Sequence, residues 1–524
     1  MTYDDDEPIV ALVDDSEDKP EAFEAGKTQV TITNKPEAVL EETELKVLLE
    51  LTGSGDNEDR APVDLVTVLD VSGSMKDEDK IGKLQIAMQF LIQKLSPIDR
   101  LSVVTFSKGS SRLFPLRQIT NESQLDIIEK VKALNAHGAT NMAAGLQMGI
   151  QVLNDRRLSN RRVGAIMLMS DGDQSLRYGD ARQVPVDSFA VYTFGFGSDA
   201  KPEVLKEISE KSKGGTFSDV RNLNDLGKAF SQCLGGLLTV IVQDLNLTLT
   251  QVNKESKIDI NNVTAGNYKK TEKDGSVNIS FGELYNSEVR MVLVNLLLLK
   301  ADSEKSPDVL HVNYSYRGKG KRAFEAPPMT ATVTRSKTAT DKEIPKLIIE
   351  ENRLKTLNSV KEARALADNK ELERAKDKVD EAKNSLEGVK DVDDPKQVIK
   401  ALMYDLERLS GFMKSQEEYE EKGRPYAMSF ETSHERQRYA ARGDVDAVRA
   451  FATPRMDAYL EQAKEFAKDP TKPPPSAAED VKQERAENPL APIAGPLSHY
   501  ITVAIQALKS IDDILKSSTN VKRT

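Results

Sequence analysis

From Val63 to about Cys233, short apolar runs alternate with amphipathic stretches. That alternation leaves one economical solution, parallel strands joined by helices. Strands are predicted at 63–70, 101–106, 163–170 and 189–195, with weaker ones at 112–117 and 214–218. Helices are predicted at 80–95, 121–134, 141–153, 201–212 and 222–234, which together suit a doubly wound sheet of six strands. Between Leu237 and Arg335 the apolar period changes to two, as in Leu245, Leu247, Leu249 and again in Leu310, Val312, Tyr314. Short alternating strands of this kind predict an antiparallel sandwich. Two earlier strands, 29–33 and 45–51, have no partner near them in sequence, so they are expected to join that later sheet. The α/β unit is then an insertion within a sandwich.

Beyond Lys342 the chain turns helical and charged, with Leu402, Leu406, Leu409 and Met413 at helical spacing. Thr453-Pro454 reads as an N-cap followed by proline at the first helical position. The expected fold class is α/β plus β plus α. Its parts are an acidic disordered lead (1–26), a β-sandwich (27–60 with 237–335), an inserted Rossmann-like domain (61–236) and a helical domain (342–468). A linker follows over 469–496, where seven prolines fall. A final amphipathic helix over 497–524, carrying Ile501, Ile505, Leu508, Ile511 and Leu515, is expected to dock back on the body.

Composition removes several functions. Across 524 residues, 84 acidic side chains outnumber 73 basic ones for a net charge of -11, which opposes sequence-independent nucleic-acid binding. A single cysteine, Cys233, and four histidines nearly exclude zinc and redox centres. The N-terminus is acidic where a targeting signal needs base, and the longest apolar run, Met291 to Leu299, is far short of the ~20 residues a membrane span needs. A cytoplasmic location without a membrane span is the expectation, with a nuclear or membrane-peripheral one as the alternatives, and the glycosylation-like triplets at Asn246, Asn262 and Asn278 are then chance matches.

One constellation carries chemistry. Asp70-Val71-Ser72-Gly73-Ser74 closes the first predicted parallel strand, at the sheet edge where ligands bind in open α/β folds. Thr140 follows in the loop Gly138-Ala139-Thr140-Asn141, and a neighbouring strand ends in Ser170-Asp171-Gly172. Asp70, Ser72, Ser74, Thr140 and Asp171 offer five oxygens, an incomplete octahedron for a hard divalent ion.

This pattern resembles the metal-ion-dependent adhesion site of von Willebrand factor A domains. The resemblance implies Mg2+ (or Mn2+) touched directly by Ser72, Ser74 and Thr140, with Asp70 and Asp171 acting largely through water. Because the direct ligands are mostly neutral, the ion stays electrophilic, and a partner protein's acidic residue can complete its shell. Asp4-Asp5-Asp6-Glu7-Pro8, Gly423-Arg424-Pro425-Tyr426, Ser433-His434-Glu435-Arg436-Gln437-Arg438 and Thr453-Pro454 further resemble plant WAVY GROWTH-type proteins, which join this domain to a RING ubiquitin-ligase module. That module needs eight zinc ligands, so one cysteine implies a RING-less relative, able to form homo-oligomers or to associate with RING-bearing members. The expectation is a non-enzymatic interaction protein; the alternative is a structural or regulatory subunit whose metal mainly stabilises the fold.

Hydrolysis at the ion needs a base or nucleophile, and the sequence places no His, Cys or Lys there. The remaining features have ordinary readings: His434 as a solvated or capping residue, His137 as incidental, and 76–79 as a solvated helix start. Gly318 to Arg322 reads as a hairpin loop, Cys233 as a small buried hydrophobe and Asp173 as a solvent-facing acid.

Overall fold

The computed structural model describes residues 25–171, 176–197, 201–318, 323–340, 342–447 and 449–520. The acidic lead before residue 25, Asp173 and most of the 318–322 turn lie outside them.

Strands β1 (Thr28–Asn34) and β2 (Thr43–Gly53) precede the α/β unit. That unit runs β3 (Val63–Asp70), α1 (Lys80–Lys94), β4 (Arg100–Phe106), α2 (Asn121–Lys132), α3 (Met142–Asn154), β5 (Val163–Ser170), β6 (Ala190–Phe196), α4 (Pro202–Lys211), β7 (Phe217–Val220) and α5 (Leu226–Leu237). Its strands are parallel in the order β7-β6-β5-β3-β4. Two short strands, Ser110–Arg112 and Arg117–Gln118, pair antiparallel with β4. Among the described residues the sheet therefore has seven strands rather than six. The segment expected as one strand at 112–117 is broken because each piece pairs with a different stretch of β4.

All eight residues of β3 are buried. Leu65 and Leu69 face a core shared with α1 and α5, while Val66 and Val68 face one shared with α3 and α4. Burial on both faces explains why this strand reads as a continuous apolar run. The strand order reverses at β3, whose neighbours are β4 and β5, so the crevice at its carboxyl end is a topological switch point.

The sandwich is formed by β8 (Val240–Gln251), β9 (Ser276–Tyr285), β10 (Val289–Leu298) and β11 (Asp308–Arg317), together with β1, β2 and shorter strands. β2 lies between β1 and β10, with Leu49 opposite both Ile32 and Val292. β8 lies between β9 and β11, with Leu247 opposite Ile279 and Tyr314. The inward residues of both sheets make one core. Entry to and exit from the inserted unit are tied where the Ala61 N–H donates to the Val240 carbonyl at 2.7 Å. The buried Arg335 guanidinium donates to the carbonyls of Val39, Leu40, Glu41 and Leu299, holding the first and last segments of the sandwich together. A chain beginning at residue 237 is expected to be insoluble, because β10 would lose β2 along its whole length and expose an apolar edge. A soluble, β-rich circular dichroism spectrum from that chain would contradict this topology.

Helices α6 (Pro345–Asp368), α7 (Leu372–Glu387) and α8 (Val398–Phe412) share a core through Val360, Val379 and Leu406. α9 (Arg424–Arg436) is buried along nearly its entire length. α10 (Pro454–Lys468) leaves this group and packs on α5, with Met456 and Tyr459 in the α/β core. Thr453 caps it as expected, accepting from the Met456 N–H.

The proline-rich 469–496 segment is not a plain linker. It contains α11 (Ala477–Glu487), opened by a Ser476/Glu479 capping box. Asp480 on α11 receives the Lys94 ammonium at 2.5 Å and Arg485 pairs with Asp56, which fastens the segment to the body. The last helix, α12 (Ala491–Asn520), begins earlier than expected and does not dock along its length: Leu497, Ile501, Ile505, Leu508 and Ile511 are exposed.

Candidate metal centre at the switch point

The loop after β3 is held by its own carboxylate. Asp70 is fully buried; its Oδ1 accepts from the Ser72 N–H at 2.8 Å and its Oδ2 from the Ser170 hydroxyl at 2.7 Å. Burial pushes this carboxyl up to about 6, and the bonds from Ser72 and Ser170 only partly oppose that.

From Asp70 the oxygens continue as a chain. Ser72 Oγ lies 3.1 Å from Ser74 Oγ, and the Ser74 hydroxyl donates to Asp171 Oδ1 at 3.0 Å. Thr140 is half-buried in the adjoining loop. Backbone bonds tie the two loops: Gly73 N–H to Gly138 C=O at 3.1 Å, and His137 N–H to Val71 C=O at 2.7 Å. The Asn141 N–H bonds the Ser107 carbonyl at 2.7 Å, and the Asn141 side chain caps α3. A Cβ on Gly73 would stand 3.2 Å from the Gly138 carbonyl, so glycine permits this approach.

The fit to a small hard cation can be judged from the oxygen spacing. Adjacent ligands of an octahedral ion with bonds of about 2.1 Å stand about 3 Å apart. The Ser72–Ser74 and Ser74–Asp171 separations, 3.1 and 3.0 Å, match that edge. Hydroxyls and two carboxylates suit Mg2+ or Mn2+ rather than a soft metal. Among the described residues there is no cluster of three or more His, Cys, Asp or Glu.

Lys80 is the part that sequence reasoning missed. Its buried ammonium lies 2.7 Å from Asp171 Oδ2, so a lysine does stand beside the loop, contrary to expectation. Glu78 and Asp79 both take left-handed backbone conformations (φ 51° and 57°) and redirect the chain just before α1. Gly197 leaves room for the ammonium, since a Cβ there would be 3.3 Å from Nζ. Ser170 is the second omission: it stood beside Asp171 in the motif, but its role toward Asp70 depends on the β3–β5 pairing.

His137 is exposed and bonds its own loop through Nδ1 to the Asn135 carbonyl at 3.0 Å, and residues 76–79 are exposed. Cys233 packs at the edge of the α/β core. His434 is neither solvated nor capping. It is buried, stacked on Phe430 at 4.1 Å, and burial beside Arg353 and Arg442 holds its pKa well below the usual imidazole value.

Comparisons with known proteins converge on the same region. Residues 64–232 match the family model of the von Willebrand factor type A domain, and 396–465 match a second model described as VWA / Hh protein intein-like. The E3 ubiquitin-protein ligase WAV3 of Arabidopsis thaliana is 31% identical over 245 residues, covering 46% of this chain and 32% of that protein. An uncharacterized protein, sll0103, of Synechocystis is 28% identical over 257 residues, covering 46% of this chain and 59% of that protein. The chain thus spans about a third of the plant relative and somewhat over half of the cyanobacterial one. A von Willebrand factor type A structure from Catenulispora acidiphila aligns with a TM-score of 0.62 at 15% identity, over 82% of this chain and all of that one, and so shares the fold. Among the described residues no helix is long and apolar enough to cross a membrane.

Proposed function

We propose that the von Willebrand factor type A domain at residues 64–232 makes this chain a non-enzymatic protein-binding module, in which Asp70, Ser72, Ser74, Thr140 and Asp171 hold Mg2+, or Mn2+, for a partner's acidic side chain. The observation that carries this reading is the run of oxygens Ser72, Ser74 and Asp171, whose separations of 3.1 and 3.0 Å suit the edge of a small octahedral ion. When bound, the ion supplies an electrophilic position that a carboxylate can occupy. Ser72 and Ser74 would present neutral oxygens to it, Asp70 fixes the loop that carries them, and Thr140, in the adjoining loop before α3, would add another. Catalysis is disfavoured by the fate of the nearby bases: Lys80 is committed to Asp171, and His137 Nδ1 to its own loop. The test is retention of protein partners on the immobilised chain in millimolar Mg2+, with elution by chelator. Retention indifferent to chelator would count against it.

The Lys80–Asp171 pair yields a two-signed prediction. An ammonium on Asp171 Oδ2 repels a second cation at Oδ1, so Lys80→Met should raise Mg2+ affinity by about tenfold or more in calorimetry. The same substitution leaves a buried carboxylate unpaired, so the metal-free protein should melt lower. Unchanged affinity together with lower stability would assign Lys80 a structural role alone.

The same ion pair also favours a second reading, since it holds the loop together without metal. On that reading the chain is a structural or regulatory subunit that contacts its ubiquitin-ligase-named relatives through its helices. Metal-blind binding to such a relative distinguishes it.

A further inference from the structure

Helix α12 presents an apolar face that the other described residues leave open. Its start is anchored on the sandwich: Gly26 and Gly495 pack so closely that a Cβ on Gly26 would meet the Gly495 carbonyl oxygen at 2.3 Å, and the His499 ring lies 5.6 Å from Phe324. Beside and beyond this anchor the apolar face is exposed. Leu497, Ile501, Leu508 and Ile511 are 55%, 51%, 65% and 53% exposed, and most of the exposed large hydrophobics among the described residues fall on this helix. An uncovered apolar area of this size is rare on a monomer and marks an interface.

Three observations select the occupant. Leu497, Ile501, Ala504, Leu508 and Ile511 are spaced 4-3-4-3, the heptad seam along which helices pair, and Ala504 and its neighbours on the seam are exposed. Along α12 the two lysines, Lys509 and Lys516, are offset by Asp512 and Asp513, so the helix has no net basic charge of the kind that holds an amphipathic helix on anionic lipid. The exposed apolar area on this helix is on the order of 700–800 Å2, close to what one partner gives to a standard interface. A seam of this kind is complementary to itself, which is the requirement for a two-fold pair.

We propose that α12 is a dimerisation helix, pairing through the 497–511 seam with α12 of a second copy of this chain. Ala504 is the midpoint of the seam, so it faces its own counterpart whether the helices run parallel or antiparallel. The two metal-site faces are then carried by one assembly.

Sedimentation velocity on the full chain tests this. The expected species has twice the mass of the 58.0 kDa chain. An Ile501→Asp/Leu508→Asp variant should weaken association by roughly a hundredfold or more while keeping the parent melting curve. Independently, Ala504→Cys should give a disulfide-linked dimer on mild oxidation, whereas the parent should give none, since burial pushes the Cys233 thiol pKa up. If the double variant does not fold, the Ala504→Cys result decides alone. A parent chain monomeric at tens of micromolar, a dimer indifferent to the double substitution, or no crosslink at 504 overturns the proposal. A monomer that co-sediments with phosphatidylcholine/phosphatidylserine vesicles through Ile501 and Leu508 replaces it with a membrane role.

Discussion

An Arg438→Met chain is expected to melt about 10 °C below the parent, with the sandwich and the α/β domain becoming separately accessible to protease. Arg438 is buried where three parts of the molecule meet. Its Nε donates to Glu288 Oε1 at 2.8 Å and its Nη2 to Glu288 Oε2 at 3.1 Å, on the sandwich. Its Nη1 reaches the Tyr192 hydroxyl and the Gly214 carbonyl at 3.0 Å each, on the α/β domain. The guanidinium also lies 3.9 Å from the centre of the Tyr285 ring, and Tyr285 Oη is 2.5 Å from Tyr192 Oη. Despite a burial that would raise it, Arg290 and then Arg438 hold the Glu288 carboxyl below its usual range. Methionine fills much of the volume but takes the Arg438 donors from the Gly214 and Glu283 carbonyls and leaves Glu288 with Arg290 as its remaining guanidinium. Breaking such a buried pair costs about 3–5 kcal/mol. Arg438→Lys should rescue only in part, because an ammonium cannot make the two-pronged bond. A melting curve within a degree or two of the parent would remove Arg438 from this role.

The same residue shows why part of the fold was hidden in the sequence. Ser433 to Arg438 is a run of polar and charged side chains, and by hydropathy alone it belongs on a surface. In the structure all of it but Glu435 is buried, because its partners come from far along the chain. Arg436 donates to the carbonyls of Asn267, Glu210 and Ser212, and Arg290 donates to the Gln437 carbonyl at 2.6 Å. Periodicity reports which face is apolar; it cannot report a polar core assembled between domains. Where apolar pattern did determine placement, the reading was accurate: β3 is buried on both faces, and β1 and β2 rejoin β10 across the inserted domain. α11 was obscured by prolines on both sides of its capping box. At the candidate site, Asp70, Ser72, Ser74 and Asp171 were legible because strand ends fix them. Lys80 was not, because its position depends on two consecutive left-handed residues.

Asp70→Asn is expected to abolish Mg2+ binding and, at neutral pH, to stabilise the metal-free protein. Asparagine keeps the geometry: its oxygen can accept from the Ser72 N–H, and its amide can occupy the Ser170 position with the hydroxyl turned to accept. What it removes is a buried negative charge. The Asp70 carboxyl, raised from 3.8 to about 6, binds its proton more tightly in the folded than in the unfolded chain. Its contribution is therefore favourable below about pH 4 and is lost as the pH rises through 6. From that shift the ionised form costs about 3 kcal/mol at neutral pH. The difference in stability between parent and Asp70→Asn, both in chelator, should approach a plateau above pH 7 and shrink toward pH 4. With Mg2+ present the order should invert, since a ligand bound only by the folded parent raises its melting temperature. On the parent, proton and ion compete for one carboxylate, so Mg2+ affinity should fall below pH 6. A variant that loses stability at every pH would mean that Asp70 holds the loop as a charged group. A variant that still binds Mg2+ would mean the ion is held elsewhere.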